Sequence, residues 1–158
     1  SLIEKNTKEI IENIYNKMEE NNCEIILPED CIVGTDFDGV GKNKNLNEIK
    51  DNEIILDIGL NTIKNIKKKI SASNTVLWNG PAGYFENDNF LKGTMSIAEN
   101  ISKNTSEKSL ISVIGGGDTL AAINKSKNKL TFSHLSTAGG AFLEYLEGKD
   151  LPGISVLK

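Results

Sequence analysis

An apolar residue recurs at every fourth position of the segment NTKEIIENIYNKMEENN, residues 6–22. Ile10, Ile14 and Met18 keep this spacing, which places them on one face of a helix. Asn6 and Glu9 have the spacing of a capping box, and two asparagines close the segment. The pattern therefore predicts a helix over these residues.

Short apolar runs then alternate with segments of helical periodicity. The run CEIILP predicts a buried strand, because it is too short for a helix and is bounded by Asn and Pro. Strands that are apolar on both faces and alternate with helices indicate an α/β fold with a parallel sheet covered on both sides. The further strand and helix pairs are EIILDIG with LNTIKNIKKKI, NTVLWNG with NFLKGTMSIAENIS, SLISVIGGG with DTLAAINKS, and LTFSHLSTAGG with AFLEYLEG.

Two segments stand outside this alternation. Residues 34–52 have little periodicity and many Gly, Asn and Lys residues, which predicts an irregular excursion or a small surface hairpin. Near the end of the chain, Gly148 occupies the position expected just after a helix, and Pro152 follows, so the last predicted helix stops there. The chain of 158 residues is long enough for one domain with a core.

Composition narrows the range of functions. All 18 basic residues are lysines and the net charge is −4, so nucleic acid is not an expected partner. The lysine-rich segment 64–70 carries isoleucines at helical spacing and predicts a solvated helix face. Two cysteines and one histidine, without paired spacing, do not favour a zinc site or a disulfide framework. No apolar run approaches the roughly 20 residues of a membrane span, and residues 1–10 have no signal-peptide pattern, so we expect a cytoplasmic protein.

Three polar, glycine-containing loops each follow a predicted strand directly: WNGPAGYFE, GGGDT and STAGGA. Loops of this kind gather at the carboxyl ends of parallel strands, where ligands bind. A glycine-rich turn before a helix lets backbone N–H groups approach a phosphate, which the helix N-terminus also attracts. The stretch from Gly115 to Gly117 is therefore expected to lie against a polyphosphate.

A structural alternative remains open for this turn. The glycines could simply form a tight turn, with Asp118 as the N-cap of the next helix. Leu120 stands where a dinucleotide fingerprint needs its third glycine, and the chain has no P-loop motif, so both of those classes are disfavoured. His134 and Trp78, each within an apolar run, are interpreted as structural residues.

Taken in order, five motifs resemble the C-terminal half of the phosphoglycerate kinase family, and the match covers essentially the whole chain. The resemblance implies that residues 1–158 are a partial nucleotide-binding domain, Rossmann-like with three αβα layers, of a two-domain hinge-bending kinase. Such enzymes are cytoplasmic, glycolytic and usually monomeric, and they transfer a phosphoryl group reversibly between ATP and 3-phosphoglycerate with Mg²⁺. The motifs are DIGLNTI, TVLWNGPAGYFE, KGTMSIAE, VIGGGDTLAA and SHLSTAGGAFLEYLEGKDLPG.

The resemblance also implies roles for residues on the nucleotide side. Glu86 corresponds to the glutamate that binds the ribose hydroxyls, a role that suits a carboxylate acceptor. Asp118 would hold Mg²⁺ through the nucleotide, and Thr119 would bond a phosphate oxygen. The remaining nucleotide-binding positions implied by the family are Asn79, Gly80, Pro81, Gly116 and Gly117.

The family's STGGG motif, at a helix N-terminus, stabilises the phosphoryl group during transfer. Here it reads STAGG, and the catalytic positions it implies are Thr137, Gly139 and Gly140. Ala138 departs from the commoner glycine. This substitution would be strained only if the backbone at that position needed a positive φ.

Several family features have no counterpart in the sequence. The N-terminal domain with its arginine-containing, phosphoglycerate-binding patch is absent, as are the GGAKVSDK and GG-A-T segments. We therefore expect the chain to begin partway into the C-terminal domain, to supply the nucleotide side only, and to be inactive alone. The alternative is a non-catalytic nucleotide-binding or interaction module, and a dinucleotide-dependent oxidoreductase domain is a third hypothesis.

Overall fold

A computed structural model describes residues 6–157. Residues 1–5, the first half of the segment that lacks a signal-peptide pattern, and residue 158 lie outside the described range. Within that range no helix is both long and apolar enough to cross a lipid bilayer. Short 3₁₀ helices occur at Leu46–Glu48 and Asp88–Phe90. The main elements are α1 (Lys8–Glu20), β1 (Asp30–Gly34), β2 (Lys42–Asn45), β3 (Ile54–Ile58), α2 (Leu60–Ala72), β4 (Thr75–Asn79), α3 (Lys92–Lys108), β5 (Ile111–Gly115), α4 (Gly117–Ile123), β6 (His134–Ser136), α5 (Gly139–Leu146) and α6 (Pro152–Ser155).

The last three strands form a parallel sheet in the order β4-β5-β6. Trp78 and Ile114 lie side by side on one face, and they join residues of α2, α3 and α4 in the buried core. On the other face Phe142 of α5 approaches Gly115, while Leu77 is 45% exposed. A parallel sheet flanked by helices confirms the predicted α/β class.

The first three strands form a separate antiparallel sheet in the order β2-β1-β3. Residues 34–52 were expected to form an irregular excursion or a small hairpin; they supply β2, but the hairpin's other strand is β1, which begins before this range. The expectation that EIILDIG joins the parallel sheet is wrong, because β3 pairs antiparallel with β1. Apolar alternation specifies a strand but not the direction of its partner.

The run CEIILP is not a strand, so this prediction is wrong. Its residues form no regular structure, and Leu27 is 59% exposed. The strand begins instead at Asp30, where Cys31 and Val33 are each 2% exposed and β1 has a partner on both sides. Residues Asp30–Gly34 form the strand, and CEIILP does not, because Asp30–Gly34 are largely buried and pair with strands on both sides.

The helix predicted in residues 6–22 is confirmed as α1, and its exit at Asn21 and Asn22 is also confirmed. The predicted capping box is wrong: Thr7 is the N-cap, and no side chain caps the helix. Helix α2 buries Ile63 and Ile70 and exposes three of its lysines, as its pattern predicts. Helix α5 ends before Gly148, whose φ of +79° is the left-handed conformation expected after a helix.

A buried carboxylate organises the start of α2. Asp30 is 0% exposed, and its Oδ1 accepts hydrogen bonds from Thr62 N at 2.9 Å and Thr62 Oγ1 at 2.8 Å. Its Oδ2 accepts from Asn61 N and from Asn43 Nδ2, both at 3.0 Å. Burial alone would raise the pKa of Asp30, but these donors outweigh it and lower the pKa to about 2.

A second buried carboxylate joins the two sheets. Asp57, at 1% exposure on β3, accepts hydrogen bonds from Gly93 N at the start of α3 (2.7 Å) and from Ile58 N (2.8 Å). Burial raises the pKa of Asp57 to about 6, and the two backbone donors offset only part of this effect. Close by, Tyr84 N donates to Leu56 O at 2.7 Å. These bonds tie β3 to the loop after β4 and to α3.

Candidate functional site

The three glycine-containing loops meet at the carboxyl end of the parallel sheet. Asn79, Gly115 and Ser136 occupy the same row of the strand register, so the three loops begin side by side. A Cβ on Gly116 would lie 2.7 Å from Asn79 Oδ1, and one on Gly139 would lie 2.9 Å from Gly116 Cα. Neither position has room for a side chain. The predicted convergence of the loops is confirmed.

The loop after β4 is held by two hydrogen bonds on one residue. Gly80, with a φ of +101°, donates its N–H to Thr119 Oγ1 at 2.7 Å and accepts from Trp78 Nε1 at 2.7 Å. Trp78 is 9% exposed within the core cluster, which confirms its structural interpretation. Pro81 follows in a half-buried position. Thr119 is 0% exposed, and its hydroxyl oxygen accepts the hydrogen bond from this loop. Its contact with a phosphate stays a prediction.

The loop after β5 leads straight into α4. Gly116 is the N-cap, with a φ of +94° that favours glycine, and no side chain caps the helix. The alternative in which Asp118 is the N-cap is therefore wrong: Asp118 lies exposed in the first turn. A Cβ on Gly117 would meet nothing within 4 Å, so the space beside it is open.

The loop after β6 places Gly139 and Gly140 as the first residues of α5. Ala138 has a φ of −87°, so the departure from the commoner glycine carries no left-handed strain, and its N–H donates to Ser136 Oγ at 3.2 Å. Thr137 is exposed beside it. His134 is also exposed on β6 instead of being held within the core.

The geometry of these loops suits an anion. The N-termini of α4 and α5 meet where Gly139 packs against Gly116, and each carries partial positive charge and N–H groups that have no partner within their own helix. Both Gly117 and Gly140 leave their surroundings open. This is the arrangement in which helix termini bind phosphate groups.

Asp118 is a carboxylate at these loops that could take part in binding a metal ion. Within residues 6–157 no group of three His, Cys, Asp or Glu side chains is close enough to hold a metal by itself. Mg²⁺ in nucleotide sites is commonly held by one or two carboxylates together with phosphate oxygens. The exposed Asp118, beside the open glycines, fits that joint arrangement.

An open cleft of about 640 Å³ lies at the far end of the loop after β4, and we call it the Glu86 cleft. Three of its lining side chains are carboxylates, and one is an ammonium group. Carboxylates accept hydrogen bonds from hydroxyl groups and repel phosphates, so the cleft suits a polyhydroxyl group better than an anion. The lining residues are Asp38, Tyr84, Glu86, Asn87, Asp88 and Lys125.

Sequence reasoning missed Lys125. Its Nζ donates to the backbone carbonyls of Phe85 (2.8 Å) and Glu86 (3.0 Å), and to Asp88 Oδ1 (2.9 Å). These partners lie 37 to 40 residues away along the chain, so no local pattern could have indicated them.

The fold is α/β, and glycine-rich strand-end loops that lead into helices form its site, an arrangement typical of proteins that bind phosphate groups. The family model for phosphoglycerate kinase matches residues 1–149, and the chain belongs to the phosphoglycerate kinase family. It is 42% identical to the phosphoglycerate kinase of Xanthobacter flavus and 44% identical to that of Rhodopseudomonas palustris, each over 160 aligned positions that cover 100% of this chain.

Solved structures give the same result. The phosphoglycerate kinase of Coxiella burnetii matches 99% of this chain with a TM-score of 0.88 at 40% identity. The Pyrococcus horikoshii phosphoglycerate kinase matches 99% of it with a TM-score of 0.71 at 27% identity. The chain spans about 40% of the length of each of these relatives.

Proposed function

We propose that this chain supplies the nucleotide side of a phosphoglycerate kinase, a monomeric cytoplasmic enzyme of glycolysis. The reaction is the reversible transfer of a phosphoryl group from ATP to 3-phosphoglycerate, giving ADP and 1,3-bisphosphoglycerate. The observation that carries the proposal is the meeting of Asn79, Gly116 and Gly139 at the end of the parallel sheet. Family membership supplies the reaction class.

In this proposal the two sides of the site bind different parts of the nucleotide. Glu86 accepts hydrogen bonds from the ribose hydroxyls in the acidic cleft. The backbone of Gly116, Gly117 and the start of α4 binds the phosphates, beside the turn formed by Asn79, Gly80 and Pro81. Thr119 holds that turn through Gly80 N–H, which fixes the distance between the two loops.

The start of α5 lies next to this phosphate position. Thr137, Gly139 and Gly140 direct a helix N-terminus at the group being transferred, where charge spreads over its outer oxygens. Asp118 is the residue that would hold Mg²⁺ with the nucleotide phosphates, and the metal would supply neutralisation of their charge. In this proposal the residues of this chain bind and orient the nucleotide.

Phosphoryl transfer depends on several groups acting at once, and cations that contact the phosphates are part of every such site. The loops at the sheet end carry no lysine or arginine among residues 79–81, 115–119 and 136–140. Binding of 3-phosphoglycerate likewise requires a cationic surface, which we assign to the N-terminal domain of a complete enzyme. We therefore predict that residues 1–158 alone do not turn over.

The experiment compares the 158-residue chain with a complete phosphoglycerate kinase that carries this sequence. Turnover is measured in both directions, and binding of Mg-ADP is measured by calorimetry. We expect turnover by the complete protein and none by the chain alone. Activity of the chain at even a small percentage of the complete protein would refute the division of labour. A complete protein that binds Mg-ADP without transfer would instead support the non-catalytic module.

A further inference from the structure

Lys125 directs its whole hydrogen-bonding capacity at one short segment. An ammonium group has three donors, and the three partners of Lys125 are Phe85 O, Glu86 O and Asp88 Oδ1, at 2.8 to 3.0 Å. Two of the three are backbone carbonyls. The side chain of Lys125 is 34% exposed and that of Asp88 is 85% exposed, so the ion pair itself is worth little. The contact is mainly an attachment of backbone.

The attachment begins on a rigid element. Lys125 follows α4 by two residues, and its N–H donates to Ala122 O at 3.1 Å, which continues the last turn of the helix. Helix α4 starts at Gly117, in the loop proposed to bind phosphates. One short helix therefore has the phosphate loop at its start and Lys125 just past its end, about 12 Å apart at 1.5 Å per residue.

The attachment ends on the segment that carries Glu86. Elsewhere this segment is held by Asn87, whose Nδ2 donates to Phe37 O at 2.8 Å and Gly39 O at 3.2 Å. Those bonds lead to the hairpin between β1 and β2, and Lys125 supplies the connection toward α4. Glu86 itself is exposed. The direction of its carboxylate therefore depends on where its backbone is held.

We infer that Lys125 is a positioning residue for ribose recognition: by binding the carbonyls of Phe85 and Glu86, it holds the Glu86 carboxylate at a fixed distance from the phosphate loop. This inference rests on the proposed function. Lys125 acts through the backbone and does not contact the nucleotide. Its loss should therefore weaken the interaction with the ribose hydroxyls far more than the interaction with the phosphates.

The test compares the dissociation constants of ADP and 2′,3′-dideoxy-ADP, each with Mg²⁺, in a complete phosphoglycerate kinase that carries this sequence. The parent protein should bind ADP at least about tenfold more tightly, because hydrogen bonds to a carboxylate are strong and a tenfold change corresponds to about 1.4 kcal/mol. Lys125→Met should weaken ADP binding about tenfold and dideoxy-ADP binding less than about threefold. The ratio of the two constants then falls by more than about threefold.

Two further variants keep the test decisive. Lys129→Met removes an exposed lysine from the same loop and should leave the ratio unchanged. Lys125→Gln, which keeps a polar end but cannot reach all three partners, should lower the ratio as Lys125→Met does and answers the question if Lys125→Met does not fold. An equal loss for both nucleotides, or an unchanged ratio, would overturn the inference.

Failure of the proposed function gives a different result. A parent protein that does not bind Mg-ADP overturns the proposed function and this inference together. A parent that binds Mg-ADP without preferring it to the dideoxy form overturns the ribose role of Glu86 and with it the role of Lys125, while nucleotide binding stands.

Discussion

Asp30 should be among the most sensitive positions for the stability of the protein, because one buried carboxylate satisfies the start of α2. Each of its oxygens accepts two hydrogen bonds, and two of the four donors are the backbone N–H groups of Asn61 and Thr62. A third N–H of this first turn, that of Leu60, donates to Asn43 Oδ1 at 2.9 Å. Asn43 in turn is held by Asp30. The side chain therefore supports β1, β2 and α2 at once.

The expected magnitude follows from these bonds. Asp30→Asn retains the shape but replaces one acceptor oxygen with an NH₂ group, which then faces two donors in either orientation. Losing two bonds to a charged acceptor, at about 1.5 kcal/mol or more each, lowers the free energy of unfolding by about 3 kcal/mol. Asp30→Ala leaves two backbone donors without a partner and should cost about 4 kcal/mol.

Urea unfolding, followed by the fluorescence of the chain's single tryptophan and by circular dichroism, measures this change. Asp51→Asn, at an exposed position, is the matched control and should lie within about 0.5 kcal/mol of the parent. An Asp30→Asn protein as stable as that control would refute the reasoning.

The pH dependence gives a second readout of the same bonds. The folded pKa of Asp30, about 2, lies below its ordinary value of 3.8. The stabilisation is therefore fully present above pH 4 and is lost as the pH falls through about 2. Asp30→Asn should lack this part of the acid dependence.

Two other changes test the remaining arguments. In a complete enzyme that carries this sequence, Asp118→Asn should lower the turnover number at saturating Mg-ATP by a factor of about 10² or more, because about 3 kcal/mol of transition-state stabilisation corresponds to two decades in rate. The melting temperature should hardly change, since Asp118 is exposed and is not the N-cap. Near-normal turnover would remove Asp118 from the site. Asp57 has a folded pKa raised to about 6 from 3.8, so its contribution to stability is present below pH 4 and is lost as the pH rises through 6. From pH 4 to pH 7 the free energy of unfolding of the parent, measured with urea, should fall by about 2 to 3 kcal/mol more than that of Asp57→Asn. An equal change with pH in the two proteins would contradict the raised pKa.

The sequence predicts the elements of this fold better than their partners. Ile63 and Ile70 identify α2 and its buried face, because helical periodicity is a local property. The strand β1 was missed in favour of CEIILP because Asp30, a charged residue, opens the true strand. Its charge is tolerated only because donors from α2 and β2 surround it. Such compensation arises from contacts distant in sequence.

In the site, too, features set by local sequence patterns could be predicted, and features set by contacts distant in sequence could not. The convergence of Asn79 and Gly116 could be predicted, because the carboxyl ends of parallel strands share one edge. The motif resemblance located Glu86, but nothing in the sequence linked it to Lys125, which lies 39 residues further along the chain. Likewise, the burial of Thr119 beneath Gly80 follows from packing and not from the GGDT motif.

The bonds of Asp57 and Leu56 to the segments after β4 have a consequence for how the molecule opens. The antiparallel sheet and the parallel sheet share no strand, yet α3 is fastened to the first through Gly93 N and packs against the second through Ile97 and Ile101. We therefore expect that opening one sheet disturbs the other. On this basis the two sheets should unfold as one cooperative unit, and a chain cut between β3 and α3 should destabilise both sheets together.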